Sequence, residues 1–430
     1  MNRNSDTHLS RASSRLAFIA AAFIAFAAGA QQLPGGVETS QPLPGPAQPG
    51  RPDGGAVGSE EAAQNAQGPA QEPALSDEAI EAAIAEAEAA SLAGEAFAAM
   101  DGGTGPAAEV NAVPAAAANA AAQTAPLPGL SLIRKARLTG TGPEDQAFTA
   151  VMEDGRTARL TIHPRLQQQM EKLLRNYRPM DAAIVAIEPR TGKVLALAEF
   201  AQDGKPEGLA TRPLYPAASV FKIITGAALL EKGVSPDAET CYHGGLHGIV
   251  GKLLTDTRLD RRCLSLGMAL AKSANVVFAK MAMKHLDANE LRREAERFLF
   301  NRPIWEDKSV EQSTATIPDE KIAFAKSAAG FGQVRLSPLH AALIAAAVAN
   351  GGISQNPTLI ESIDGDPPFT TEPRRLLQKA TADALRDMMK LTVSEGTATS
   401  SFRQRHRNIL GDIEVAGKTG SLSTHTRGPF

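Results

Sequence analysis

With 430 residues and 43% hydrophobic content, the chain can build one large domain or two ordinary ones. A formal net charge of −3 argues against nucleic acid as a partner. Aromatics amount to 4% and alanine crowds the first third, which excludes a single uniform globule.

Residues 1–30 read as an export segment. Arg3, Arg11 and Arg15 precede an apolar run from Leu16 to Ala30 that closes in the small-residue pattern Ala28-Gly29-Ala30. A full membrane span takes about 20 residues, so this run reads as a cleaved signal peptide or as a short membrane anchor. Both place the rest of the chain outside the cytoplasm, in the periplasm or cell envelope. No cysteine follows the run to carry a lipid.

Residues 31–130 are rich in Pro, Gly, Ala and Gln. Up to Pro128 they hold one aromatic (Phe97), one arginine (Arg51) and no lysine. Such a stretch buries too little apolar surface to offset its ordering entropy, so a flexible linker is expected. One helix is predicted inside it over 76–100, with Ser76 as N-cap.

From 131 the composition is that of a folded domain. The segment Ala158 to Ile162 alternates, and a helix is expected from Pro164 to about Tyr177 with Leu166, Met170, Leu173 and Leu174 on one side. Ala182 to Ile187 and Val194 to Ala198, joined by Pro189-Arg190-Thr191-Gly192, predict a β-hairpin. Helical patterns fill the middle, and a strand is expected again near Ile413 to Ala416. Strands at both ends with helices between predict an α+β domain, not a doubly wound sheet.

Three short motifs carry the chemistry. Ser219-Val220-Phe221-Lys222 is S-x-x-K, Ser273-Ala274-Asn275 is S-x-N, and Lys418-Thr419-Gly420 is K-T-G. Ser219 is the one serine in the chain with a lysine three residues on. Each motif alone is most often a cap, a turn or a strand end, whereas the ordered set is the signature of penicillin-binding proteins and β-lactamases. Residues three apart share a helix face, so Lys222 can reach the Ser219 hydroxyl and act as its base. That role requires a lowered pKa, from burial or from a nearby charge such as Lys418.

Residues from about 131 to 430 resemble the transpeptidase domain of penicillin-binding proteins. Beyond the three motifs, the likeness rests on Leu160-Thr161-Ile162-His163-Pro164-Arg165-Leu166-Gln167, where the family usually has an acid in place of His163. It also rests on Tyr215-Pro216-Ala217-Ala218, Gly330-Phe331-Gly332, Ser337-Pro338-Leu339, Ala349-Asn350-Gly351-Gly352 and Glu395-Gly396-Thr397-Ala398. The resemblance implies an antiparallel sheet flanked by helices, plus an all-helical region. It also implies an acyl transfer in which Ser219 attacks a D-alanyl-D-alanine stem peptide. Lys222 takes the serine proton and Ser273 relays a proton to the leaving amine. Asn275 binds the substrate amide, Lys418 and Thr419 hold its carboxylate, and Gly420 admits the substrate. The N–H groups of Ser219 and Ser421 form the oxyanion hole. β-Lactams would trap Ser219, no metal or organic cofactor is needed, and cell-wall synthesis proteins and a membrane contact through the N-terminus are the further partners. The family's domain continues past K-T-G with more strands and a closing helix, so the expectation is that these are missing here.

Cys241 and Cys263 suit a disulfide in an exported chain, closing a loop worth about 3 kcal/mol. A rival reading makes Cys241, His243, His247 and Cys263 zinc ligands. Functional rivals also stand: a D,D-carboxypeptidase, which differs only in the acyl acceptor; a serine β-lactamase, although no Glu-x-x-x-Asn pattern follows Asn275; and an inactive penicillin-binding scaffold.

Overall fold

The computed structural model describes residues 20–26, 130–140, 146–204, 208–305, 307, 309–368, 372–404, 407–411 and 413–421. The linker and its expected helix over 76–100 lie outside the described residues.

Apolar pattern and backbone chemistry set the elements. Strand β1 (Ala20–Phe26) lies antiparallel along a later strand. Helix α1 (Leu130–Lys135) leads into the short strands β2 (Arg137–Thr139), β3 (Ala147–Val151) and β4 (Thr157–Leu160), which pair in sequence as antiparallel neighbours. Helix α2 spans Pro164–Tyr177, the predicted range. His163 caps it, its Nδ1 accepting from the Leu166 N–H at 3.3 Å, and Pro164 supplies a preset φ at the first turn. The departure from the family's usual acid is therefore a change of capping acceptor. Buried Gln167 ties α2 to the next hairpin by exchanging two hydrogen bonds with the Leu197 backbone.

The predicted hairpin is present as β5 (Asp181–Ile187) and β6 (Val194–Ala201). With β1 they form a three-stranded antiparallel sheet in the order β1–β5–β6. Helix α3 (Lys222–Glu231) follows, then a hairpin of β7 (Glu239–Tyr242) and β8 (Arg262–Ser265). Helices α4 (Leu266–Ala271), α5 (Asn275–His285), α6 (Ala288–Arg297), α7 (Lys321–Ala328) and α8 (Pro338–Ala349) make up the helical middle. Strand β9 (Ile353–Ser354), β10 (Ile360–Ile363) and β11 (Arg374–Arg375) follow. β10 extends the β2–β3–β4 sheet beside β4, β9 pairs with β11, and helix α9 (Lys379–Ser394) follows. Among the described residues, no helix is long and apolar enough to cross a membrane.

Two main apolar cores result. One lies among the helices, around Phe221, Ile224, Leu229, Leu270, Phe278, Met281, Leu291, Phe300 and Leu385. The other lies under the sheets, around Leu160, Val185, Ile187, Val194, Leu343 and Ile360. Helix α8 is apolar all round and sits between them. Leu339, Ala342 and Leu343 pack on the sheet side, and Ala341, Ile344 and Val348 on the helical side.

One expectation fails. Residues Ile413 to Ala416 form no strand, and the whole segment 413–421 has no regular structure. A strand is defined by its ladder, and among the described residues none lies beside this segment. It is held instead by the Gly417 N–H donating to the Met389 carbonyl and by a Lys390–Glu414 ion pair at 3.1 Å.

Candidate active site

The site is assembled where three helix ends meet the 413–421 segment. Ser219 lies in a single 3-10 turn, Ala218–Phe221, that runs into α3. This places Ser219 and Lys222 on one face, and the Lys222 Nζ is 2.9 Å from the Ser219 Oγ. Ala218, just before the candidate nucleophile, has φ of +47°, a left-handed conformation that an alanine adopts at a cost of about 1–2 kcal/mol.

Lys222 is 0% exposed. Two further acceptors surround its Nζ, the Asn275 Oδ1 at 2.7 Å and the Ala329 carbonyl at 2.8 Å. Desolvation, and then the nearby Lys418 charge, hold its pKa well below the ordinary lysine value. A neutral amine has two N–H groups and one lone pair. The two carbonyl-type oxygens use both N–H groups, which leaves the lone pair facing the Ser219 hydroxyl. The Ala329 carbonyl stands at the end of α7, where helical carbonyls lack intrahelical partners, and the neighbouring Ala328 carbonyl accepts from the buried Thr225 hydroxyl at 2.7 Å.

Gly330 terminates α7. Its N–H donates to the Ser327 carbonyl and the Phe331 N–H to the Lys326 carbonyl, with φ of +92° at Gly330. A Cβ built there would lie 1.7 Å from the Ala218 carbonyl oxygen. The strained turn that presents Ser219 is thus backed by a glycine with no room for a side chain.

Ser273 and Asn275 sit at the α4–α5 junction. Ser273 has φ of +56° and Asn275 is the first residue of α5, which brings the Asn275 side chain to Lys222 and the Ser273 side chain to Lys418. The Asn275 Nδ2 donates to the His247 carbonyl at 2.9 Å, fixing the amide so that its oxygen faces Lys222. Ser273 Oγ accepts from the Lys418 Nζ at 3.0 Å. The observed partner of the Ser273 hydroxyl is thus Lys418. Burial pushes the Lys418 pKa down to about 7.

Thr419 is held by Thr397, hydroxyl to hydroxyl at 2.5 Å. Thr397 in turn donates its N–H to the Ala271 carbonyl at 3.1 Å, at the end of α4. Gly396 fits there because a Cβ would come within 2.3 Å of that carbonyl. A Cβ on Gly420 would lie 3.3 Å from Val220 and 3.8 Å from Ala218, which sets K-T-G against the Ser219 turn. Ser421 ends the described segment. The sequence reading missed the acceptors on Ala329 and His247, and it missed Thr397 as a partner of Thr419, although Glu395-Gly396-Thr397-Ala398 was part of the resemblance.

Cys241 and Cys263 face each other across β7 and β8 and form a disulfide. Both sulfurs are thereby committed, which removes them from the zinc reading. His243 pairs instead with Asp260 at 2.5 Å, and Asp260 and Asp256 ion-pair with Lys280 at 2.8 Å and 2.7 Å.

The family model described as penicillin binding protein transpeptidase domain matches residues 182–428, more than half of the chain. The chain belongs to this family. It is 28% identical over 320 residues to a peptidoglycan D,D-transpeptidase PbpA of Mycolicibacterium smegmatis, covering 65% of this chain and 63% of the relative. The namesake in Mycobacterium tuberculosis is also 28% identical, again over 63% of its length. The chain thus spans less than two thirds of these curated relatives. The ceftriaxone acyl-enzyme complex of penicillin-binding protein A from M. tuberculosis superposes with a TM-score of 0.51 at 27% identity, covering 63% of this chain and 68% of that one. The D,D-transpeptidase domain of a peptidoglycan glycosyltransferase from Eggerthella lenta shares the fold, at TM-score 0.50 and 23% identity over 65% of this chain and 84% of that one.

Proposed function

We propose that this chain is a serine-type D,D-transpeptidase that cross-links peptidoglycan stem peptides and is acylated by β-lactams. The observation that carries the reading is the buried Lys222 amine, whose Nζ lies 2.9 Å from the Ser219 Oγ and 2.7 and 2.8 Å from the Asn275 and Ala329 oxygens; in its neutral form those two oxygens take both N–H groups and the lone pair is left for the hydroxyl. The names of the PbpA relatives and the acyl-enzyme form of the M. tuberculosis protein support it.

Ser219 transfers its proton to Lys222 as its oxygen attacks the carbonyl carbon of the penultimate D-alanine. The N–H groups of Ser219 and Ser421 stabilise the oxyanion. The C–N bond then breaks, and the departing D-alanine amine receives a proton through the Ser273 hydroxyl. Asn275 binds the donor's amide, while Lys418 and Thr419 bind its terminal carboxylate. An amine of a second stem peptide attacks the ester, forms the cross-link and returns the proton that regenerates Ser219. Residues 1–30 serve export to the cell envelope and 31–130 tether the domain there; cleavage or membrane insertion of the run would take Ala20–Phe26 out of its pairing with β5. N-terminal sequencing of the exported protein tests this: a start at Gln31 marks a cleaved signal, an intact Met1 an anchor.

Incubating the full chain with a fluorescent penicillin tests the reaction. Wild type is expected to form a stable adduct on the peptide carrying Ser219, and Ser219→Ala none. Equal labelling of both, or of neither, overturns the assignment. Rapid release of hydrolysed penicillin would move the reading to a β-lactamase. Release of D-alanine with water as the only acceptor would move it to a carboxypeptidase.

A further inference from the structure

Away from the site, a groove of about 590 Å³ is lined by Arg293, Glu296, Arg297, Leu299, Arg302, Arg374, Arg375 and Leu376. Five guanidinium groups thus line one concavity with a single carboxylate, which Arg302 engages at 3.2 Å. Arg297 reaches Glu294 at 3.2 Å and Glu231 at 3.7 Å. Arg293, Arg374 and Arg375 pair with no carboxylate among the described residues. Arg375 donates instead to the Gly351 and Leu377 carbonyls. Gathered like charges repel, and a guanidinium is shaped to take carboxylate oxygens in pairs, so the groove is complementary to a run of carboxylates.

The chain carries such a run. Between Gln31 and Gly129 it has thirteen acidic residues against Arg51 alone, whereas residues 130–430 hold forty basic and thirty-three acidic side chains. Seven of the thirteen fall between Glu72 and Glu95, with no base among them: Glu72, Asp77, Glu78, Glu81, Glu86, Glu88 and Glu95. The charge asymmetry is therefore internal to the chain, with an acidic arm joined to a basic domain. A 34-residue connection rich in Ala, Gly and Pro separates Glu95 from Leu130. A coil of that length spans roughly 30 Å, comparable with the dimensions of the domain it must reach round. Being in cis, the arm is present at an effective concentration of order millimolar, so weak individual pairs suffice.

We infer that the groove of Arg293, Arg297, Arg302, Arg374 and Arg375 docks the chain's own acidic stretch from Glu72 to Glu95. Docking shortens the free tether between the N-terminus and the domain, and its strength falls with ionic strength because each pair is solvent-exposed.

Digestion of the full chain with a glutamate-specific protease tests this, because cleavage follows the undocked population. At low salt, cutting after Glu78, Glu81, Glu86 and Glu88 is expected to be at least about fivefold slower than after Glu38 and Glu109, as for a stretch docked about four-fifths of the time. The protection should vanish in about 0.5 M salt, where the Debye length is only a few ångströms. It should vanish likewise in Arg374→Glu/Arg375→Glu, with penicillin labelling of Ser219 unchanged. These two side chains are exposed on a two-residue strand, so the variant is expected to fold. Equal cutting at all sites in wild type overturns the proposal. So does protection that survives the double charge reversal, since the 76–100 segment would then be protecting itself. Capture of unprotected wild-type protein by phosphatidylglycerol vesicles through the same arginines would also overturn it, in favour of a lipid headgroup.

Discussion

Lys222 and Lys418 divide two jobs that require opposite charge states. Lys222 must be neutral to take a proton, and its burial and the Lys418 charge act in that direction. Lys418 must be charged to hold a carboxylate, and its pKa of about 7 puts that condition at the upper edge. The acylation rate constant kcat/KM for a carboxylate-bearing penicillin therefore depends on both states. It should fall above about pH 7, approaching tenfold per unit, as the free enzyme loses the Lys418 charge. A neutral penicillin ester should lack the alkaline limb; a limb that persists with the ester would remove Lys418 from carboxylate binding. A second expectation concerns Lys222→Met. It should lower acylation at least about 10³-fold, the scale of a positioned base. The melting temperature should hold or rise, because a fully buried amine gives way to an apolar chain of similar length. Thermal melting alongside labelling checks both halves, and a large fall in Tm would mean that the amine is structural. Ser219, Lys222, Ser273, Asn275 and Lys418 were legible because side-chain chemistry at fixed order leaves a mark in sequence. The Ala329 and His247 carbonyls were not, because every residue has a carbonyl and only the fold aims one.

Among elements, what positions Ser219 is the meeting of two helix ends. The C-terminus of α7 needs a left-handed residue, and the 3-10 turn before α3 needs a neighbour with no side chain; Gly330 meets both needs. Gly330→Ala should therefore cost several kcal/mol, beyond the roughly 1 kcal/mol that left-handed φ alone imposes on alanine. Gly155→Ala is the control, since Gly155 has φ of +85° but nothing within 4 Å of an added Cβ. Chemical denaturation of the two variants measures the difference, and equal losses would mean that the Ala218 contact relaxes at no cost. Retained fold with lost labelling in Gly330→Ala would show the Ser219 turn displaced. Helix α2 matched its predicted range because proline and a capping residue mark its start and its Leu and Met positions mark one face. The segment at Ile413 to Ala416 misled because two strand-favouring residues, Ile413 and Val415, specify a conformation only when a partner strand completes the ladder. Gly330-Phe331-Gly332 was legible as part of a resemblance, but its contact with Ala218 depends on an approach between elements 112 residues apart.

For the whole molecule, the two cores share α8, and titratable groups buried on α6 and α8 make stability depend on pH. Glu294 is 4% exposed, and one of its oxygens has no hydrogen-bond partner among the described residues. Burial outweighs the attraction of Arg297 at 3.2 Å and pushes its pKa up to about 7. Its folded pKa thus lies above its unfolded value, so the native state holds a proton that the unfolded chain releases. That contribution is fully present below about pH 4.5 and is lost as pH rises toward 7, a change on the order of 3 kcal/mol. His340 works in the opposite sense. It is buried against Phe300, its Nε2 lies 2.7 Å from the Phe298 carbonyl, and its pKa is pushed down to about 4. The unfolded chain therefore binds the extra proton, and stability from this group grows between about pH 4 and 6.5. The wild-type curve is a sum in which these slopes partly cancel, so its shape alone assigns neither. Glu294→Gln isolates one of them, because glutamine keeps the volume and cannot ionise. The difference in unfolding free energy between variant and wild type should shift steadily in favour of the variant from pH 4.5 to 7.5, by on the order of 3 kcal/mol across the window. Urea unfolding of both proteins at several pH values measures it. A difference that stays constant across the window would mean that Glu294 is ionised throughout in the native state, held by Arg297 against its burial.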